Sequence, residues 1–169
     1  VTNDFTAEMQ QPKVSVFLTF SGDLADNAKN RLVLDLLSRA LDSRYLISIR
    51  EEKGGTYGVQ VQAGINRYPI NAYQMLVAFD TNEELADELV EICLAEIKKI
   101  AEEGPLTEDI DKAREFLKKN YNNVLENNSG WMSAINRWYE ERYNYKEQYL
   151  GIVESVTYDD VKAMAAKVL

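Results

Sequence analysis

The chain has 169 residues, 46% hydrophobic and 28% charged, which is enough for one domain with a buried core. Histidine is absent, which excludes mechanisms that need an imidazole within the chain, including Ser-His-Asp catalysis and histidine-ligated zinc. Cys93 is the only cysteine, so an internal disulfide and a thiolate metal cluster are excluded as well. The net charge of −9 argues against a nucleic-acid partner, and no apolar stretch approaches the roughly 20 residues of a membrane span.

The first half of the chain predicts one strand, one long helix and two further strands. Residues 13–20 alternate as a strand does, and because Phe17 lies on the second face we expect both faces to be covered. A helix is predicted over residues 24–48, where apolar side chains recur every three or four positions. After a pair of glycines, alternation predicts strands over 56–66 and 71–79, and their short connection indicates an antiparallel pair.

The second half of the chain is helical by its periodicity. A capping box at Thr81-Asn82-Glu83-Glu84 is predicted to open a helix that ends at Gly104-Pro105. Further helices are predicted from Thr107, from Trp131 to about Tyr143, and after Thr157. The resulting order, β-α-β-β-α-α-α-α, predicts an α+β domain in which helices pack on a mainly antiparallel sheet.

Arg50 and Tyr57 lie on either side of the least ordinary segment of the chain. Arg50 ends the long helix, Tyr57 begins the next strand, and the glycine turn between them can bring both side chains to one rim. Glycines near Tyr57 leave its phenol open to approach by another chain. Taken alone, the same residues are also typical of a solvated helix end followed by a strand tyrosine.

The other candidates are adjacent carboxylates, one cysteine and an aromatic stretch. Cys93 lies on an apolar helix row and is interpreted as a buried structural thiol. The aromatic side chains between residues 131 and 149 are interpreted as core and inter-domain packing, with a peptide-binding wall as the alternative. Neighbours in a helix do not face each other, so four acidic pairs are interpreted as solvated faces: Glu51-Glu52, Glu83-Glu84, Glu102-Glu103 and Glu140-Glu141.

The run Ser-Ile-Arg-Glu-Glu-Lys-Gly-Gly-Thr-Tyr-Gly-Val, residues 48–59, resembles the arginine–tyrosine motif of the M16 metallopeptidases. In this family, which includes insulin-degrading enzyme and pitrilysin, six residues separate the arginine from the tyrosine, as between Arg50 and Tyr57. Gly104-Pro105-Leu106-Thr107 before a long helix and residues 126–131 after it agree with the family pattern. The resemblance covers nearly the whole chain and points to the long, single-chain bacterial members.

The resemblance implies a division of labour between domains. Members of the family hold zinc in their first domain, through an inverted His-x-x-Glu-His motif and a distant glutamate. The arginine–tyrosine pair belongs to the last domain and faces the zinc when the two halves of the enzyme close. By this resemblance, Tyr57 donates a hydrogen bond to the oxyanion on the scissile carbonyl, and Arg50 holds a substrate carbonyl or positions Tyr57.

We therefore expect residues 1–169 to form a single C-terminal-type M16 domain, an excised fragment that lacks a final strand and is inactive alone. No cofactor is expected in this chain, because the zinc of the full-length enzyme is held by another domain. The expected partners are the zinc-binding N-terminal half, or a partner subunit, and a peptide substrate. The alternatives are a catalytically inactive scaffold or partner subunit of the same fold, or a stand-alone interaction module. Resemblance to exported bacterial members implies a periplasmic location.

Overall fold

The structure, a computed structural model, describes residues 13–51, 53–54 and 56–169. In these residues a three-stranded antiparallel sheet packs with six α-helices, which confirms the predicted α+β class. The elements in chain order are β1 (Val14–Asp23), α1 (Ala28–Tyr45), a π-helical segment (Leu46–Glu51), β2 (Val59–Asn66), β3 (Ala72–Thr81), α2 (Ala86–Glu103), α3 (Thr107–Val124), α4 (Asn128–Glu141), α5 (Tyr145–Ser155) and α6 (Tyr158–Val168).

The three strands form an antiparallel sheet in the order β1-β3-β2. In its register, Ala78 of the central strand lies opposite Phe17 on one side and Gln60 on the other. The alternation of side chains gives the sheet one apolar face under the helices and one open face. Phe17 lies on the open face and is 67% exposed, so the expectation that both faces are covered is wrong for the described part of the chain.

Three long-range hydrogen bonds that involve side chains fix the helices on the apolar face of the sheet. The hydroxyl of Tyr45 in α1 donates to the backbone oxygen of Cys93 in α2 at 3.0 Å. That of Tyr73 in β3 donates to the backbone oxygen of Lys167 in α6, also at 3.0 Å. Asp42 accepts the backbone N–H of Val61 at 3.0 Å, which ties α1 to β2. The end of α1, and with it the segment that carries Arg50, is therefore held against the sheet.

The ends of several helices differ from the sequence predictions. The α-helical part of the first helix ends at Tyr45 and continues as a π-helix. The predicted capping box at residues 81–84 is wrong, because α2 begins at Ala86 and Asn82 instead accepts the N–H of Leu85 in the preceding turn, at 2.9 Å. The helix predicted after Thr157 is confirmed as α6, and in the structure Thr157 and Asp160 form a capping box at its start. An additional helix, α5, was not predicted. No helix in the described ranges is long and apolar enough to cross a membrane.

Candidate functional site

Arg50 lies in the last turn of the π-helical segment that follows α1. Ile49, its neighbour, is fully buried in the core, and Ser48 donates a hydrogen bond to the backbone oxygen of Arg44 at 3.0 Å. The backbone oxygen of Arg50 accepts the N–H of Gly54 at 3.1 Å, and Gly54 has the positive φ of 62° that favours glycine. The backbone of Arg50 is thus anchored while its side chain is exposed. π-Helical turns of this kind occur frequently at functional sites.

Tyr57 lies on the short loop that leads into β2. The hydroxyl of Thr56 donates to the backbone oxygen of Gly58 at 3.1 Å and accepts the N–H of the same residue at 3.3 Å. These two hydrogen bonds give the loop a defined turn around Tyr57. The side chain of Tyr57 itself is fully exposed. Its phenol is therefore presented at this turn and is accessible to another molecule.

Two surface cavities, of about 520 and 270 Å³, meet at Tyr57. Asp80 lines both of them and is held by Lys13, at 2.7 Å, and by the hydroxyl of Ser15, at 2.6 Å. These hydrogen bonds lower the pKa of Asp80, and the bond from Lys13 has the larger effect. The positive charge of Lys13 also compensates the negative charge of the carboxylate. Arg50 lines neither cavity, and no hydrogen bond in the described part of the chain joins it to the Tyr57 phenol. The cavities extend from Tyr57 along the open face of the sheet.

The open face of the sheet is nearly uncharged, although the chain has a net charge of −9. In the strands that the structure describes, the only charged residues of this face are Asp23 and Asp80, which lie toward opposite ends of the sheet. Between them lie hydroxyl, amide and small or apolar side chains: Ser15, Phe17, Thr19, Ser21, Gln60, Gln62, Gly64, Gln74, Leu76 and Ala78. Hydroxyl and amide groups can both donate to and accept from a peptide backbone. This face is therefore suited to contact polypeptide without selecting its charge.

Glu141 corrects one of the sequence interpretations, because it is not on a solvated face. Only 11% of its side chain is exposed, and it accepts two hydrogen bonds from Arg31, at 2.9 and 2.7 Å. Arg67 lies 3.3 Å from the same carboxylate, and both arginines also pair with Asp26. Burial lowers the pKa of Arg31, but hydrogen bonds and charges from Glu141 and Asp26 outweigh it and leave that pKa raised. We call these four residues the ion-pair cluster.

The other acidic pairs and Cys93 agree with their interpretation in the part of the chain that is described. The side chains of Glu51, Glu83, Glu84, Glu102, Glu103 and Glu140 are exposed, and Glu52 lies outside the described residues. Cys93 is fully buried, which confirms a structural thiol, and burial raises its pKa to about 12. Within the described ranges, no group of three or more His, Cys, Asp or Glu side chains is placed to hold a metal ion.

The aromatic stretch divides into two groups. Tyr145 and Tyr149 stack with Tyr121 of α3, with ring centroids 5.5 and 6.0 Å from it, and lie 4.6 Å from each other. These contacts help to fix α5 on the domain. Trp131 and Trp138, by contrast, are about half exposed. Packing within the domain therefore accounts for the tyrosines of α5 but leaves the tryptophans of α4 without an explanation.

Comparison with known proteins identifies the family. Residues 3–117 match the family sequence model described as the Peptidase M16 inactive domain. A zinc protease PQQL-like protein of Arabidopsis thaliana is 27% identical over 150 residues, which cover 84% of this chain and 16% of that protein.

Solved structures share the fold. The periplasmic protease PqqL from Escherichia coli has a TM-score of 0.80 at 19% identity, over 95% of this chain and 18% of that one. An M16 inactive domain from Pseudomonas fluorescens has a TM-score of 0.75 at 19% identity, over 94% of this chain and 39% of that one. This chain thus spans less than a fifth of the Arabidopsis and Escherichia coli proteins that it matches. The chain belongs to the M16 peptidase family, within which it corresponds to the inactive domain.

Proposed function

We propose that this chain is the zinc-free, C-terminal-type domain of an M16 zinc peptidase and that Tyr57 contacts the peptide bond being cleaved. The observation that carries the proposal is the fully exposed Tyr57 phenol, held at the hydrogen-bonded turn from Thr56 to Gly58 beside an open, nearly uncharged sheet face. A phenol is a neutral donor with a pKa near 10, so it can stabilise an oxyanion without carrying charge itself. Arg50 supplies a fixed fork of donors for a substrate carbonyl or for positioning Tyr57.

In this proposal the zinc is held by another domain of a longer polypeptide or by a partner subunit. The absence of histidine from the chain and the much greater length of its relatives support that division. The proposal also holds that the complete domain has one further strand, which this chain lacks. The described sheet has three strands, so β1 and β2 each have an outer edge at which a further strand could pair. The periplasmic location is proposed from the likeness to the Escherichia coli protease.

The substrate class in this proposal is a peptide or an unfolded polypeptide segment. The open sheet face forms one wall of the chamber that encloses it. Since this face carries hydroxyl and amide groups rather than charges, it would contact the peptide backbone more than particular side chains.

The decisive experiment is steady-state cleavage of a quenched fluorescent peptide by the full-length enzyme and its Tyr57→Phe variant. Loss of one oxyanion donor costs about 10²–10³ in kcat, so we expect a decrease of that size with little change in KM. Arg50→Ala should mainly raise KM. Tyr68→Phe, which removes another exposed phenol on the β2–β3 loop, is the matched control. Wild-type kcat in a normally folded Tyr57→Phe enzyme would refute the oxyanion role.

The catalytically inactive scaffold is the second candidate, and the description of the matched family domain as inactive favours it. The two candidates differ in the rest of the polypeptide. A peptidase requires a His-x-x-Glu-His segment in another domain or in a partner subunit. If the full-length protein has neither this segment nor a partner that restores cleavage, the scaffold is the correct function.

A further inference from the structure

Helix α4 is the only helix of the described chain with no buried residue. The side it turns toward the domain is a stripe of half-buried residues spaced as one helix face. This inner stripe consists of Gly130, Ala134, Arg137 and Glu141. None of these is a large apolar side chain, so the contact of α4 with its own domain has no fully buried hydrophobic centre.

The flank and the outer side of α4 carry the large apolar side chains. They recur at the spacing of a helical stripe and are between 44% and 73% exposed. We call this set the aromatic face: Trp131, Met132, Ile135, Trp138 and Tyr139. A surface helix ordinarily turns such a stripe to the core and its small or charged residues to solvent. In α4 this arrangement is reversed.

The orientation of α4 is fixed by specific contacts. A Cβ at Gly130 would lie 1.6 Å from the backbone oxygen of Val124, so this turn of the helix lies directly on the end of α3. At the other end, Glu141 is held by Arg31 and Arg67 in the ion-pair cluster. The helix cannot rotate to bury its aromatic face without breaking both contacts. The exposure of that face is therefore part of the folded structure.

We infer that the aromatic face of α4 is an interface with another domain of the same, longer polypeptide. The inference rests on the proposed function only in taking this chain as one domain of such a polypeptide. A buried aromatic side chain contributes about 150–250 Å², so the three aromatic side chains, exposed by about half, present roughly 300 Å², to which the exposed parts of Met132 and Ile135 add. That is a suitable apolar centre for a standard interface, which buries about 800 Å² on each partner.

The charges around the aromatic face indicate what covers it. A groove of about 490 Å³ runs between α4 and the start of α5, with Lys146 in its lining. The guanidinium of Arg142 lies 5.9 Å from the ring centroid of Trp138, at the same end. An apolar surface with a carboxylate at this basic rim would be complementary. A second copy of this chain would bring the same two cations and the same net charge of −9, so it fits less well.

The length of the relatives favours a partner on the same polypeptide. The match covers 16% of the Arabidopsis protein and 18% of the Escherichia coli protease, so both carry several times more chain than is described here. An interface within one polypeptide also needs less area than one between free molecules, since the linked domain is present at a high effective concentration.

Hydroxyl-radical footprinting tests this inference without depending on peptidase activity. The oxidation rates of Trp131, Met132 and Trp138 are measured in this chain alone and in the full-length polypeptide, with a free peptide as dose standard. A tryptophan that goes from 51% exposure to the buried centre of an interface should react about fivefold more slowly. Equal rates in the two proteins would overturn the inference. Protection that appears in this chain alone as its concentration rises would also overturn it, because the occupant is then a second copy.

A substitution distinguishes protection by an interface from protection by a general loss of mobility in the full-length polypeptide. Trp138→Gln should leave the melting temperature of this chain nearly unchanged, because the side chain is already half exposed there. In the full-length polypeptide the same substitution should restore oxidation of Met132 toward the rate in this chain alone. Leu94→Gln, an exposed apolar position on α2, is the matched control and should leave Met132 protected. Continued protection of Met132 in the Trp138→Gln variant would contradict the assignment of the aromatic face as the interface. Loss of cleavage by Tyr57→Phe is independent of all these readouts.

Discussion

Replacement of Glu141 by glutamine tests whether α4 is held on the domain by charge rather than by hydrophobic packing. Its carboxylate accepts charge-assisted hydrogen bonds from Arg31 at 2.9 and 2.7 Å and lies 3.3 Å from Arg67. Only 11% of the Glu141 side chain and 16% of the Arg31 side chain are exposed, so water screens this pair weakly. Glutamine keeps the shape of the side chain and removes the charge.

The expected cost follows from the burial of the pair. Loss of one partner costs about 3–5 kcal/mol in a buried ion pair and about 0–1 kcal/mol in an exposed one. The Arg31–Glu141 pair lies near the buried limit, but Arg31 retains Asp26 in the variant. We therefore expect the free energy of unfolding to fall by about 2–3 kcal/mol. In a domain of this size that corresponds to a decrease in Tm of roughly 4–12 °C.

Urea unfolding of this chain, followed by circular dichroism, measures the loss. Glu140→Gln is the matched control, since Glu140 is 46% exposed and its only ion pair in the described chain is a 3.7 Å contact with Arg67. It should cost less than about 0.5 kcal/mol. Added salt should reduce the difference between the wild type and the Glu141 variant only slightly, because the pair is mostly buried. Equal losses in the two variants would refute the view that the ion-pair cluster anchors α4.

Two further predictions concern a glycine contact and a buried thiol. Gly130→Ala should lower the free energy of unfolding by about 3 kcal/mol or more, because its Cβ would collide with the backbone of Val124. Gly151→Ala in α5, where no atom lies within 4 Å of the added Cβ, should raise it by about 0.5–1 kcal/mol, and thermal melts in which both variants respond alike would contradict this. Since burial raises the pKa of Cys93 to about 12, its stabilising contribution is complete below pH 9 and is lost at about 1.4 kcal/mol per pH unit as pH rises toward 12. Cys93→Ala should therefore lose less stability than the wild type between pH 8 and pH 10 in urea titrations, and an identical loss would be the contrary result.

The sequence predicted those parts of the fold that depend on local patterns. Alternation in β2 and β3 identified their apolar faces, because a strand places successive side chains on opposite sides. The start of α6 after Thr157 was predicted correctly for the same reason, since the residues that cap this helix lie within four positions of one another. The π-helical segment that carries Arg50 was not predicted, because its residues have the same apolar spacing as an α-helix end.

The features that were missed depend on residues far apart in the chain. Arg31 and Glu141 are 110 positions apart, so no local pattern distinguishes Glu141 from its solvated neighbour Glu140. The exposure of Phe17 likewise depends on where the helices pack and not on the sequence of β1. For Arg50 and Tyr57, the spacing in the sequence identified a candidate pair, while the structure shows that Tyr57 lies beside the open sheet face.

The direction of α4 shows why hydrophobic periodicity alone cannot orient a helix. Trp131, Ile135 and Trp138 have the spacing of a core-facing stripe, and that spacing reveals only that the stripe packs against something. The residues of the inner stripe decide whether the apolar stripe packs against its own domain or against another partner. Gly130 tolerates backbone contact that no other residue could accept, and Glu141 requires the cations that only its own domain supplies. These less tolerant residues turn inward, so the more adaptable apolar stripe is left to face a second partner.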